Sequence, residues 1–331
     1  MTAVSSSVTL KPDPLYRRVM SDGAMVILVI LVVLFVILAL TQSDALTTSV
    51  MTDICNISLP LTLAAAGGTL VVLTRGFDLS VAGVISLTNV LVAVSGGDGP
   101  LGALKDAGIA VAVGALVGAV NGVLVAYFNL QSIALTLASM IVCSGAALLV
   151  LDAPGGSASD FMSYDLVGAI GPVPVAFLIA LAVYAIWFAL KRTDWGVNLY
   201  AVGADETAAT LTGIPVRRVK LLAYVAAGVC YGLAGFTLTA LTSTGTPNVG
   251  DPYLLLTFAA IALGGTSFAG GRGGVAGSML GALTLTLLQK VLFSTGVSSF
   301  YTGIFQGVVM IVAVLLAALS AKLSGGGEAR A

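Results

Sequence analysis

From Ala24 to Leu40 the chain is one unbroken apolar run. Runs of similar kind recur at about 56–74, 79–95, 107–128, 132–151, 173–190, 221–242, 253–270, 274–293 and 301–320. About 20 apolar residues coil into a helix long enough to cross ~30 Å of hydrocarbon. The pattern therefore predicts an all-α polytopic membrane protein of about ten transmembrane helices. A transmembrane barrel would show segments of ~10 residues with alternating polarity instead. Composition agrees: 58% of residues are hydrophobic and 9% charged, against about 25% charged in a soluble domain. A soluble enzyme and a disordered chain are excluded. Nucleic acid is excluded as a partner as well, because 14 Lys and Arg face 15 Asp and Glu and phosphate binding needs a basic surplus.

Positive charge orients the spans. With the N-terminus inside, the inner loops hold Arg75, Lys191, Arg192, Arg217, Arg218, Lys220 and Arg272, and the tails add Lys11, Arg17, Arg18, Lys322 and Arg330. That places 12 of 14 basic residues on one side, leaving Lys105 and Lys290 outside. The outer loops hold Asp44, Asp53, Asp98, Asp106, Asp152, Asp160, Asp165 and Asp251. The split predicts an even number of spans with both termini cytoplasmic. The layout is then a cytoplasmic tail over 1–23, a transmembrane domain over 24–320, and a second cytoplasmic tail over 321–331. No A-x-A-like site follows the first run, so it is read as an anchor that stays in place.

Two loops are long. The outer one, 152–172, is rich in Gly, Ser, Pro and Asp. The inner one, 191–220, contains a helix-compatible stretch from Asp205 to Leu211, bounded by Gly203 and by Gly213-Ile214-Pro215. Asp205 is a suitable N-cap, and Gly and Pro stop the helix. A short capped helix between basic flanks reads as a docking element rather than a plain linker.

Glycines at spacing four, Gly114, Gly118 and Gly122 and again Gly273, Gly277 and Gly281, predict faces where helices approach closely, as do the pairs Gly228 with Gly232 and Gly303 with Gly307. Pro60 with Gly67-Gly68, and Gly264-Gly265, predict helices broken where backbone faces protein or a wet cavity. A kink satisfied by a neighbouring helix is the alternative. Gly67-Gly68-Thr69 and Gly264-Gly265-Thr266 also form a weak internal echo. Inside the spans the polar residues are mainly neutral: Asn89, Asn121, Thr136, Ser139, Gln289 and Gln306. Each can be interhelical glue; as a set they suit a neutral polyol. Asp78 and Arg75 sit at the mouth between two spans, where Asp78 can cap the second.

The chain has no His and three Cys, Cys55, Cys143 and Cys230, set far apart in apolar surroundings. His-based metal, haem and triad chemistry is excluded, no metal site is expected, and the cysteines read as small core residues. No G-x-x-x-x-G-K-[ST] loop is present, so ATP is not bound by this chain. Gly271-Arg272-Gly273-Gly274-Val275-Ala276 fits G-x-G-x-x-A but follows no strand, and carries no nucleotide site.

Several ordered motifs resemble the permease subunits of ribose/xylose/galactose-type ABC importers, relatives of branched-chain amino-acid permeases. Gly76-Phe77-Asp78-Leu79-Ser80-Val81-Ala82-Gly83 is similar to the family's G-x-D-L-S-V-G, with Ala82 where Gly is common. Asn121-Gly122 and Gln131 to Thr136 resemble its N-G…Q-x-x-x-x-T segment. Gly203-Ala204-Asp205-Glu206-Thr207-Ala208-Ala209 with Gly213-Ile214-Pro215-Val216 resembles its cytoplasmic loop, Asp205 and Thr212 replacing Asn and Ser. Leu263-Gly264-Gly265-Thr266-Ser267 with Gly270-Gly271 resembles its L-G-G-T-S-x-x-G-G.

The resemblance implies a ten-helix permease in the bacterial inner membrane that moves a neutral monosaccharide and is not itself an enzyme. It implies a second permease chain in a homo- or heterodimer, a cytoplasmic ABC ATPase that carries ATP and Mg, and a periplasmic or lipid-anchored sugar-binding protein. Gly203, Asp205, Glu206, Ala208, Ala209, Gly213 and Pro215 would couple the chain to the ATPase. Asn89, Asn121, Thr136, Ser139 and Thr266 are candidates for the passage, and Asp78 and Ser80 are structural. The competing reading is a stand-alone secondary transporter or channel for a small neutral solute.

Overall fold

The computed structural model describes residues 23–296 together with Tyr301, Gly303, Ile304, Gly307, Val308 and Ile311. The expected span 301–320 therefore lies almost wholly outside the described residues, as do nearly all of the two tails. The rest is a helical bundle: α1 Gly23–Thr41, α2 Thr48–Leu73, α3 Val81–Val94, α4 Gly99–Ala126, α5 Ser132–Val150, α6 Val175–Leu190, α7 Asp194–Ala204, α8 Glu206–Leu211, α9 Val216–Thr242, α10 Asp251–Leu263 and α11 Val275–Ser294. Between α5 and α6, the expected loop 152–172 holds a single π-helical turn, Phe161–Leu166, and a two-residue hairpin in which Ile170 pairs with Val173.

Among the described residues five helices are long and apolar enough to cross a membrane: α2, α4, α5, α9 and α11. They become six if α6 and α7, bent by 80° at their junction, count as one. For α3 and α10 the shortfall has a geometric cause. At ~1.5 Å per residue, the 14 residues of α3 and the 13 of α10 reach only about 20 Å. Non-helical chain supplies the remainder: the connector 74–80, with Thr74, Asp78 and Ser80 all buried, and the segment 264–274.

α2 is apolar on every side and is buried along nearly its whole length from Leu59 to Leu73. A helix without a polar face belongs inside, and α2 is packed by α9, α10 and α11. Around it, α4, α5 and α6 turn apolar side chains such as Leu116, Ile141, Leu149 and Phe177 outward, the inverse of a soluble surface.

The glycine faces are packing seats. A Cβ at Gly114 would stand 2.0 Å from the Gly228 carbonyl oxygen, and one at Gly228 would stand 2.1 Å from that of Gly114. Backbones of α4 and α9 are thus in direct contact, with Gly118 against Tyr224 and Gly232 against Ala110 continuing the seam.

Several sequence expectations change. α2 is not broken: it runs continuously through Pro60 and Gly67-Gly68, because Gly67 and Gly68 seat α9 and α10 against it and tertiary packing outweighs their poor helix propensity. Gly264-Gly265 ends α10 rather than interrupting a span reaching 270. The segment 191–220 is not a loop with one short helix but α7, α8 and the first turn of α9. α4 begins at Gly99, eight residues before the apolar run, so Asp106 is buried inside it and accepts a bond from Ser95 Oγ rather than lying in an outer loop.

Candidate functional site

The connectors gather at two ends. At one, which carries the basic residues, Arg75 is the clasp. It follows the C-terminus of α2 with a left-handed backbone (φ 62°). Its Nε donates to Gly203 O at 2.7 Å and Ala269 O at 2.8 Å, and its Nη2 donates to Ala204 O. Gly271 N donates to Leu73 O at 3.0 Å. Three chain segments distant in sequence are thereby held by one guanidinium, whose fixed fork of donors suits several carbonyls at once. Tyr200 Oη adds a bond to Gly273 O at 3.0 Å, and burial pushes that phenol's pKa up.

Beside the clasp, Asp205 caps α8, accepting from Ala208 N at 2.9 Å. Lys220 Nζ lies 2.7 Å from Glu206 Oε2, tying α8 to α9. Gly213 reverses the chain at φ 84° with open space around it. Of the residues expected to couple, Asp205, Glu206, Ala208, Gly213 and Pro215 are exposed, and Leu211 projects at the tip. Gly203 and Ala209 are not: Gly203 is pressed against Leu73 O, and Ala209 packs into the cluster formed by α2, α7 and α9. The coupling stretch therefore has an outward edge and an inward anchor. A polar cavity of about 270 Å³ opens beside α8, lined by Thr74, Arg75, Asn129, Ser132, Glu206, Lys220 and Tyr224 among others.

The opposite end carries the acidic connectors. Gly155 and Gly245 form a backbone bridge, Ser157 N donates to Ala93 O, and Asn56 Nδ2 donates to Val167 O at 2.7 Å.

Between the ends, each polar residue expected along a passage is hydrogen-bonded, though only Asn121 and Ser139 bond each other. Asn89 Nδ2 donates to Thr239 Oγ1 at 2.8 Å, and its Oδ1 accepts from Thr246 N at 2.7 Å. Asn121 Nδ2 donates to Ser80 Oγ at 3.1 Å, while Ser139 Oγ donates to Asn121 Oδ1. Thr136 Oγ1 accepts from Leu79 N at 2.9 Å. Thr266 Oγ1 accepts from Gly274 N at 3.1 Å and lies 3.2 Å from Ser278 Oγ. Ser278 also meets Thr69, 2.7 Å away, so the two Gly-Gly-Thr echoes converge on a serine that the sequence reading passed over.

Asp78 does not cap α3. Ser80 occupies the N-cap position without a capping bond, and Asp78 Oδ1 accepts from Ser80 N at 3.1 Å and from Ser80 Oγ. Its other oxygen, Oδ2, is buried without a partner; the same holds for Tyr231 Oη, Thr257 Oγ1 and Trp195 Nε1. Tyr231 and Thr257 carried no signal in the sequence beyond their place in apolar runs.

Fold and site together define a multi-pass helical membrane protein with clasped connectors at one end and a core stitched by neutral hydrogen bonds. More particularly, the chain belongs to the family described as branched-chain amino acid transport system / permease component, which matches residues 50–314. Members of this family are transporters rather than enzymes. The chain is 35% identical to the ribose import permease protein RbsC of Escherichia coli over 83% of its own length and 87% of that protein's. It is 37% identical to the ribose import permease of Bacillus subtilis over 72% and 75%, and 32% identical to the D-allose transport system permease protein AlsC of Escherichia coli over 84% and 86%. No solved structure matches the chain.

Proposed function

We propose that this chain is the membrane-spanning subunit of an ATP-driven ABC importer that carries a neutral monosaccharide, of the ribose, allose or galactose kind, across a bacterial inner membrane. The observation that carries the reading is the agreement between relatives named for import of these sugars and a capped, outward-facing helix α8 at the basic end.

In this reading the basic end is cytoplasmic. Ten spans cross the membrane, with the tails 1–23 and 321–331 inside. Asp205, Glu206, Ala208, Gly213 and Pro215 meet a cytoplasmic ATPase that holds ATP and Mg, while Gly203 and Ala209 transmit its movement to α2 and α9. Arg75 supports the same transmission, since it joins α7 to the end of α2. A second permease chain completes the pore, and a periplasmic or lipid-anchored binding protein delivers sugar to the acidic end. A neutral cargo fits an interior whose buried polar groups are mainly hydroxyls and amides, with no buried Lys or Arg among the described residues to pair with an anionic solute.

The experiment is reconstitution of the permease with its ATPase and binding protein in proteoliposomes, assayed with labelled ribose, allose, galactose and leucine. ATP-dependent uptake of a sugar and not of leucine is expected. Uptake of leucine alone, or sugar flux independent of ATP and of the ATPase, would refute the proposal.

A further inference from the structure

Burying a polar atom without a partner carries a penalty, and such atoms are few in native proteins. Two of the four found among the described residues meet at one place, and a third belongs to a residue whose chain neighbour packs beside them. Asp78 is 2% exposed, Tyr231 0% and Thr257 1%. Thr257 and Tyr231 converge over Gly68: a Cβ at Gly68 would lie 3.2 Å from Thr257 Cγ2 and 3.5 Å from Tyr231 Oη. Asp78 lies in the buried connector 74–80 that leads into α3.

The next residues in the chain complete the picture. Phe77 precedes Asp78 and Phe258 follows Thr257, and these rings lie 5.9 Å apart between centroids. Phe268 stacks on Phe77 at 5.8 Å. All three phenylalanines are half-buried. A carboxylate oxygen and two hydroxyls with unused hydrogen-bonding capacity thus stand beside an aromatic patch. A monosaccharide has the matching chemistry, with hydroxyl groups at its rim and a face of C–H bonds that packs on aromatic rings. In Asn89, Asn121 and Thr136 every side-chain polar atom already has a partner.

We propose that Asp78, Tyr231 and Thr257, flanked by Phe77, Phe258 and Phe268, form the sugar station of the transport path, closed in this conformation and opened when α10 moves away from α2. This rests on the sugar-importer reading and adds to it the residues that hold the cargo. α10 is the wall suited to move. It is short, it carries Thr257 and Phe258, and it is bounded by Ser243 (φ 57°) and Gly265 (φ 73°) in non-helical segments. The unpartnered atoms oppose the closed state, so the fold gives up stability where the cargo must be received and released.

The test uses the complete complex in proteoliposomes with labelled ribose, allose and galactose at saturating binding protein, beside melting curves of the purified permease. Removing an unpartnered hydroxyl relieves the closed state, so Y231F and T257V are expected to melt no lower than wild type while uptake falls about tenfold, the effect of one lost hydrogen bond to cargo. D78N is expected to lower uptake at least as far. W195F removes the fourth unpartnered atom, on α7, and is likewise expected to melt no lower than wild type. If wild type moves a sugar and Y231F and T257V move it equally fast, the station is wrong and the importer reading stands. If both variants lose melting temperature in step with uptake, the hydroxyls are structural and the station is again overturned. If wild type moves none of the three sugars, the sugar reading falls and the station falls with it.

Discussion

Replacing Gly228 by alanine adds one methyl group at the backbone-to-backbone seam between α4 and α9. The new Cβ would lie 2.1 Å from Gly114 O and 2.9 Å from its carbonyl carbon. Ordinary contact begins at 3.4 Å, so α4 and α9 must part by more than 1 Å. Neither atom is the flexible end of a side chain. The neighbouring contacts at Gly118 and Gly232 are equally close and loosen with it. Overpacking a tight interior costs about 1–3 kcal/mol, and a rigid backbone-to-backbone seam belongs at the upper limit, about 3 kcal/mol. Gly145, on the lipid-facing side of α5, has open space where its Cβ would be. There Gly→Ala should stabilise by about 0.5–1 kcal/mol, since it only removes backbone freedom from a helix. The same chemical change therefore has opposite signs at two positions. The three free cysteines, one buried and two half-buried, supply the assay: a thiol-reactive fluorophore reports their exposure as purified permease is heated. G228A should melt well below wild type and G145A at or slightly above it. Equal melting of all three proteins would show that the glycines do not set the α4–α9 distance.

Three further predictions follow the basic end and the topology. Arg75→Lys replaces a fork that reaches three carbonyls with a single point charge; with partners lost, about 1–3 kcal/mol of stability should go, and limited proteolysis should cut faster in 264–274. Gly213→Ala meets no steric obstacle but must hold φ 84°, at about 1–3 kcal/mol of strain; sugar-driven ATPase activity should fall with little change in assembly, and unchanged activity would show that the α8 turn is not needed for coupling. Cysteines placed singly at 160, 207 and 248 on a cysteine-free background are all at exposed positions, so an impermeant maleimide applied to intact cells reads sidedness alone; 160 and 248 should label, and labelling at 207 would invert the proposed topology.

What the chain announces on its own is whatever depends on neighbours close in sequence. A helix long enough for a bilayer is a run of apolar residues, which is why α5, α6 and α11 lie almost where the runs are. The cap on α8 needs only Asp205 and a backbone N–H three residues on, so it too was legible. The glycine faces followed from helical periodicity, since residues four apart share a side. The tertiary structure decided what those local features are for. Gly67-Gly68 looked like a break and is a seat, because two helices from far along the chain press on it and hold it helical. Asn89 and Asn121 looked like lining and are bonded shut, because their partners, Thr239, Thr246, Ser80 and Ser139, arrive from other helices. Asp78 looked like a cap and keeps a free oxygen, because the connector turns it inward toward α9. Whether a buried polar group is satisfied is a property of what surrounds it in space, and most of those surroundings lie more than forty residues away in the chain.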